Sequence, residues 1–361
     1  MEMCIESNAI VIDRRRANEI LGILKRCKAL RKELKIKHIN DSVVIPIYSD
    51  DIILKCIDSQ GATLNISKHC FEYKYREIIH GIDLRKMLEN IVGSRDIGEC
   101  ISSSIDIIGD IALIEVYCRD LLERYREAIT EAVIKLNPSV RTIYAKGIVE
   151  GMHRVRNIVF IGGEEKTKTI HKEHGILIAV DIAKTYFNPS LSTEHSLVAK
   201  ELSYARSILD LFTGVGPFAL HIAKISNSYI VACDINRDAL KLLRESIEMN
   251  RLKGYIDILE IDSINFIENR GFIGKFDAII MNLPHHAYKL ICSALEVVKS
   301  SGKIYLYIIS KNVNEAIDMV NRELYECRAK GVISSYRKVL DYAPRRYIYR
   351  IVIENIALHK F

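Results

Sequence analysis

The chain has 361 residues, 49% of them hydrophobic and 27% charged, with a formal net charge of +6 and a pI near 8.7. That length supports two or three domains with their own cores, and the balance is that of a soluble globular protein. No apolar run reaches the roughly 18 residues of a membrane span, and the start, MEMCIESNAI, lacks a signal-peptide pattern, so a cytoplasmic protein without membrane contact is expected.

Nine cysteines lie far apart, at positions 4, 27, 56, 70, 100, 118, 233, 292 and 327, with no CxxC pair. An odd, scattered set argues against a disulfide framework and against a zinc site. The cysteines are expected as small apolar core residues, and no metal site is expected anywhere.

Residues 1–62 read as a small α/β unit: MCIESNAIVID as a strand, RRRANEILGILKRCKAL as a helix, SVVIPIYS as a strand. Its charge is concentrated, with Arg14, Arg15, Arg16, Lys25, Arg26, Lys28, Arg31, Lys32, Lys35 and Lys37 and few acids among them. Such clustering suits a phosphate backbone, although a solvated helix face has the same composition. The stretch 61–80 has weak periodicity and reads as a linker. From 80 to 190 strands and helices mix in an α+β pattern. SSSIDIIGDIALIEV is strand-rich around a Gly109-Asp110 turn, LLERYREAITEAVIKLN is an amphipathic helix, and RTIYAKGIVE, NIVFIGG and GILIAVDIA are strand-like.

From 191 to 361 the pattern becomes strand, helix, strand, helix. SILDLF, YIVACDI, IDILEID, FDAIIMN and KIYLYIIS are the strands. FALHIAKI, RDALKLLRESIEMN, YKLICSALEVVKS and NVNEAIDMVNRELYECRAK are the helices. This alternation implies an α/β fold with a doubly wound, largely parallel sheet. Two last strands, VISSYRKVLDYA and RYIYRIVIENI, follow without a helix between them and predict an antiparallel hairpin at one edge.

DLFTGVGPFAL follows a strand and opens a helix, and Gly214 and Gly216 would let the backbone pass close to a ligand. A lone GxG is weak. It gains weight because the next strand ends in Asp234, placed to accept hydrogen bonds from ribose hydroxyls, with Ile235 after it. GVGPF is not GxGxxG, which disfavours NAD. The third strand also ends in an acid, Asp262, placed for an adenine amino group. Asp210, Asp234 and Asp262 after three strands, then Asn282-Leu283-Pro284 after the fourth, form the ordered signature of a class I methyltransferase with S-adenosylmethionine as cofactor. Each acid could instead cap a helix, and Asp210 is either structural or near the methionine moiety.

Asn282-Leu283-Pro284 departs from the (N/D)PPY loop of amino-methyltransferases. Leu283 replaces a proline, and His285 replaces the aromatic residue that would stack on a base. A ring nitrogen is therefore the expected target, and His285 and His286 read as loop residues.

Taken together, the chain resembles the archaeal and eukaryotic tRNA (guanine-37-N1)-methyltransferases. The resemblance rests on SSSIDIIGDIALIEV, the block from GMHRVRNIVFIGGEE to DIAKTYFNPSLSTEH, DLFTGVGPF, CDINRDAL, IIMNLPHHAYKL and YAPRRYIY. It implies three domains, at 1–62, 80–190 and 191–361: one for the tRNA elbow, one supporting anticodon recognition and one for donor and chemistry. It implies Glu194 as general base, Arg154 as catalytic arginine (Arg156 being the alternative), and Asn282 and Pro284 holding the target base. Tyr186 and Phe212 would line the target or donor pocket. The chain departs at Ser190 and His195, where the family pattern has arginines. The implied partners are the tRNA anticodon loop and elbow, and a monomer is expected.

The N1 of guanine carries a proton at neutral pH, so a carboxylate within reach must remove it, while a guanidinium stabilises charge spreading to O6. Competing readings are a wyosine-pathway enzyme that methylates the imidazopurine carbon at position 37, an rRNA or DNA amino-methyltransferase, and a donor-binding RNA-binding protein without catalysis. Intact Glu194, Asp234 and Asn282 argue against the last.

Overall fold

A computed structural model describes residues 5–27, 29–31, 34, 36–48, 55–57, 65–71, 83–93, 96–150 and 155–358. The chain divides into two compact units, 1–99 with 131–138, and 100–130 with 139–361.

In the first unit β1 (Ile5–Asp13), β2 (Lys37–Ile39), β3 (Ser42–Pro46) and β4 (Ile66–Phe71) form an antiparallel sheet in the order β2-β3-β1-β4. The helix α1 (Ala17–Arg26) repeats apolar residues at helical spacing and buries Ile20, Ile23 and Leu24 against Ile10, Val43 and Ile45. The stretch read as a linker thus contains a strand, β4. Its sequence, ISKHCF, is mostly exposed and lacks the apolar alternation that would have marked it. Arg14, Arg15, Arg16, Lys25 and Arg26 are exposed around α1, while Lys28, Lys32 and Lys35 lie outside the described residues.

The second unit opens with the sheet β5-β6-β7-β8, formed by Ile101–Ile108, Ile111–Val116, Thr142–Glu150 and Val155–Gly163. The β5–β6 turn is at Gly109-Asp110, as expected, with Gly109 at φ 58°. A hairpin follows, β9 (Lys168–Glu173) and β10 (Ile176–Asp181), which the sequence reading recognised only in its second strand. Its two-residue turn, His174-Gly175, holds both residues at positive φ (45° and 83°), the geometry that matches strand twist.

The main sheet runs β13-β12-β11-β14-β15-β17-β16. The strands are β11 (Ser207–Asp210), β12 (Tyr229–Asp234), β13 (Tyr255–Glu260), β14 (Phe276–Met281), β15 (Val298–Ser310), β16 (Ala329–Ala343) and β17 (Arg346–Leu358). The first five in this order are parallel, and β17 runs antiparallel to both β15 and β16. The alternation of strand and helix and the terminal hairpin are as predicted.

Helices α2 (Ser192–Glu201), α3 (Pro217–Ile225) and α4 (Arg237–Met249) precede and connect the first strands of this sheet. Leu209, Ile279, Leu306 and Ile351 pack on one face, and Ile208, Ile280, Tyr305 and Val352 on the other. Both faces are therefore covered, which is why these strands read as near-continuous apolar runs.

The cysteines depart from expectation. Cys27–Cys56, Cys100–Cys118 and Cys292–Cys327 are disulfides, with Cα–Cα distances of 5.7, 5.1 and 5.3 Å. Cys233 is a buried free thiol, the role expected of all of them. Sequence separations of 29, 18 and 35 residues carry no signal of contact, because each pairing is set by how elements fold back on one another.

Candidate active site

Strand β11 sits beside β12 on one side and β14 on the other, so the direction of chain progression reverses between β11 and β14. At such a switch point the loops leaving the carboxyl ends of the strands diverge and leave a crevice. Here that crevice is a pocket of about 780 Å³. Its walls come from four successive strand ends: Phe212, Thr213 and Gly214 after β11, Asp234 and Ile235 after β12, Asp262 after β13, and Asn282 to His286 after β14. Tyr186 and Asn188, in the segment before α2, close another side.

Of the residues singled out in the sequence, Tyr186, Phe212, Gly214, Asp234, Ile235, Asp262, Asn282 and Pro284 line this one pocket. Gly214, at φ 55°, has open space where a Cβ would stand, so the backbone faces the cavity directly. Its N–H donates to Asp234 Oδ2 at 2.8 Å, and the Asn236 N–H donates to Oδ1 at 2.8 Å. Two backbone donors thus fix the carboxylate at the pocket wall. Asp262 serves two roles, because it caps the next short helix through the Ile264 N–H at 2.8 Å and also lines the pocket.

Three expected residues are not on the wall. Gly216 (φ 77°) faces Leu243 of α4, whose Cδ1 a Cβ would meet at 2.2 Å. Its role is close packing of a helix, not approach to a ligand. Asp210 is buried at 1% exposure beneath the loop and accepts the Thr213 hydroxyl at 2.9 Å. Burial, reinforced by the charge of Asp234, pushes its carboxyl up to about 7. Glu194, in the first turn of α2, is also buried, at 2% exposure. Arg154 lies outside the described residues, and only the backbone of Arg156, in β8, is described.

Glu194 has partners that the sequence reading missed. The Tyr307 hydroxyl donates to its Oε1 at 2.9 Å, and Arg350 Nη1 lies 3.1 Å from the same oxygen. Arg337 Nη1 is 3.5 Å from Oε2, which has no hydrogen-bond partner among the described residues. Arg350 also donates to Glu201 at 2.8 Å. Burial and the Glu194 carboxylate together push the Tyr307 hydroxyl well above its ordinary value, so it stays a donor. The available signal was Arg350 itself, the cation inside the apolar run YIYRIVI, which a core tolerates only when paired.

A second missed residue is Tyr342, from YAPRRY. Its hydroxyl lies 3.0 Å from His285 Nε2 at the pocket mouth, so an aromatic ring is supplied from β16 where the Asn282 loop lacks one. A third feature lies behind the pocket. Glu173 of β9 is buried with His195 of α2 and His221 of α3, at 2.8 and 3.1 Å. Burial acts to raise the Glu173 carboxyl, but the imidazoles of His171, His195 and His221 outweigh it and hold it far below the carboxylate range. Burial likewise lowers His195.

Residues 169–333 match the TRM5/TYW2 methyltransferase domain, and residues 84–167 match the TYW2 N-terminal domain. The chain is 32% identical over 356 residues to the Methanocaldococcus jannaschii tRNA (guanine(37)-N(1))-methyltransferase Trm5b, covering 96% of this chain and 97% of that one. It is similar in structure to aTrm5 solved in complex with tRNALeu, with a TM-score of 0.72 at 31% identity over 96% of this chain and 98% of that one. It is also 31% identical to the tRNA 4-demethylwyosine(37)-methyltransferase Taw21 of Saccharolobus solfataricus, over 56% of this chain and 76% of that one. At such identity over nearly the whole of both sequences, the chain belongs to the family of archaeal and eukaryotic tRNA (guanine-37-N1)-methyltransferases, built on the TRM5/TYW2 methyltransferase domain.

Proposed function

We propose that the protein transfers a methyl group from S-adenosylmethionine to N1 of guanosine 37 in the tRNA anticodon loop. The observation that carries this reading is one pocket that joins the acid-tipped strand ends to the Asn282-Leu283-Pro284 loop, with buried Glu194 on the adjacent helix. The pocket fits S-adenosylmethionine in size and chemistry. Its volume is within the range of small-molecule sites, Asp234 and Asp262 are hydrogen-bond acceptors, Phe212 and Ile235 offer apolar surface, and Gly214 leaves the backbone open. When bound there, the sulfonium supplies an electrophilic methyl group.

The protein's own residues then have separate tasks. Asp234 accepts the ribose hydroxyls and Asp262 the adenine amino group, while Tyr186 and Phe212 flank the bound groups. Asn282 fixes the edge of the guanine, and Pro284 stiffens the loop so that N1 is aimed at the methyl carbon. Glu194 takes the N1 proton through Oε2, the oxygen without a hydrogen-bond partner, while Tyr307 and Arg350 hold Oε1. Arg337, the more exposed of its two cations at 38% against 6%, is displaced as the base enters. Arg154 stabilises the charge reaching O6. The target nucleotide is unstacked from its loop to reach the pocket, with Tyr186 as stacking partner.

Domain roles complete the reading. Residues 1–62 contact the tRNA elbow, 80–190 support anticodon recognition, and 191–361 carry the chemistry, all acting as a cytoplasmic monomer. The likeness to Taw21 supports a second reading, methylation of the imidazopurine carbon at the same position. Transfer from labelled donor to tRNA transcripts bearing G or A at position 37, followed by nucleoside analysis, tests both. N1-methylguanosine from the G37 transcript alone is expected. Product only from a tRNA already carrying the tricyclic precursor would replace the first reading with the second.

A further inference from the structure

The cluster behind the pocket has the composition and geometry of a metal site. Glu173 of β9, His195 of α2 and His221 of α3 each offer one ligand atom, and the three atoms lie within 4.8 Å of one another. The side chains are 1%, 1% and 3% exposed. Glu173 Oε2 is 2.8 Å from His195 Nδ1 and 3.1 Å from His221 Nε2. Around a tetrahedral ion with bonds of about 2.0 to 2.1 Å, neighbouring ligand atoms stand roughly 3.4 Å apart. The two contacts to Glu173 Oε2 would lengthen by roughly 0.3 to 0.6 Å to reach that spacing.

The surroundings favour an ion over a bare hydrogen-bonded knot. Glu173 Oε1 is buried without a hydrogen-bond partner among the described residues, and a divalent charge would compensate the carboxylate. His171 accepts the Gly109 N–H at Nδ1, which leaves its proton on Nε2, 3.5 Å from that same Oε1. This is the orientation in which a supporting histidine steadies a ligating carboxylate. The inward face of β9 is also inverted for a core strand, with Thr169, His171 and Glu173 toward the interior and Ile170 half exposed.

We propose that Glu173, His195 and His221 bind one divalent transition-metal ion of the zinc class, with water in the remaining position. Two imidazoles and one carboxylate form a donor set for zinc or cobalt rather than magnesium or calcium, which prefer oxygen ligands. The ion ties β9, α2 and α3 together. By binding Nδ1 of His195 it fixes the proton on Nε2, an atom with no hydrogen-bond partner among the described residues, on a ring that lines the pocket. His195 directly follows Glu194, so the ion also anchors the turn of α2 that carries the carboxylate.

The site is independent of which base is methylated. The test is metal content of the tag-free full chain after incubation with Zn²⁺ and desalting, with the visible spectrum of the Co²⁺-substituted protein as a second readout. About one ion per chain, tetrahedral cobalt bands and a melting temperature lowered by chelator are expected. His221→Gln and Glu173→Gln should lose the ion, and His38→Gln should keep it. Only trace metal and featureless cobalt spectra in the wild type would overturn the proposal, as would unchanged metal content in both variants. If the variants fold poorly, the wild-type cobalt titration and chelator melt decide alone.

Discussion

The pocket rim and the interior behind it use carboxylates in opposite ways. At the rim, Asp234 and Asp262 stand at strand ends, partly exposed and held by backbone N–H groups, those of Asn236 and the neighbouring Gly214 loop for Asp234 and that of Ile264 for Asp262. Inside, Glu194 and Glu173 are almost fully buried and are held by side chains from distant parts of the chain: Tyr307 and Arg350 for one, His195 and His221 for the other. A rim carboxylate needs only backbone N–H groups of strand-end loops, and the apolar strand that ends in it is legible from local sequence. An interior carboxylate needs compensating charge, and the fold must bring it from far away.

If this contrast holds, interior changes should cost stability and rim changes should cost ligand affinity. The largest structural effect is expected for Arg350→Met, which keeps the apolar stem but strands Glu194. Denaturant unfolding should show a loss of about 3–5 kcal/mol, and a loss under about 1 kcal/mol would place Arg350 with ordinary surface pairs. Asp210 sharpens the contrast through pH. Its carboxyl is raised to about 7 in the folded state, whereas an unfolded Asp titrates near 4. The unfolded chain therefore releases this proton first, and wild-type stability falls as pH rises from about 4 to about 7. Asp210→Asn should remove roughly 3–4 kcal/mol of that fall, read from unfolding curves across the range. A parallel pH dependence in the two proteins would mean that Asp210 is ionised in the fold.

Removing the Cys292–Cys327 disulfide probes the same unit without touching either carboxylate set. Replacing Cys292 and Cys327 with serine should lower stability by about 3 kcal/mol while donor binding persists at ambient temperature. The smallest effect belongs to the rim. Asp234→Asn should weaken S-adenosylmethionine binding about tenfold to a hundredfold, through loss of roughly 1.5–3 kcal/mol of hydrogen bonding to a charged acceptor. Its melting curve without ligand should stay near that of the wild type. A large loss of stability there would show that Asp234 is structural first.

The same contrast explains what could be read in the sequence. Strand-end acids follow apolar runs, so Asp234, Asp262 and Asn282 could be located by position and share one pocket. The terminal hairpin was legible because no helix separates its strands. Gly216 misled because a GxG pattern does not say which glycine faces the ligand and which faces Leu243. Strand β9 was missed because Thr169, His171 and Glu173 break the apolar alternation that marks a buried face. The disulfides named above and the partners of Glu194 were invisible for a further reason. They join residues 18 to 35 apart in one case, and up to 156 apart (350 − 194) in the other, across elements whose packing no local pattern encodes.

In the proposed mechanism Glu194, held at one oxygen by Tyr307 and Arg350, removes the N1 proton with the other. Single-turnover methyl transfer to a G37 transcript, with wild type and Glu194→Gln at saturating donor, tests it most directly. With Glu194 as the base, the variant's rate is expected to be lower by about 10²- to 10⁴-fold with donor affinity unchanged. A rate within about threefold of wild type, a barrier change under about 1 kcal/mol, would contradict it.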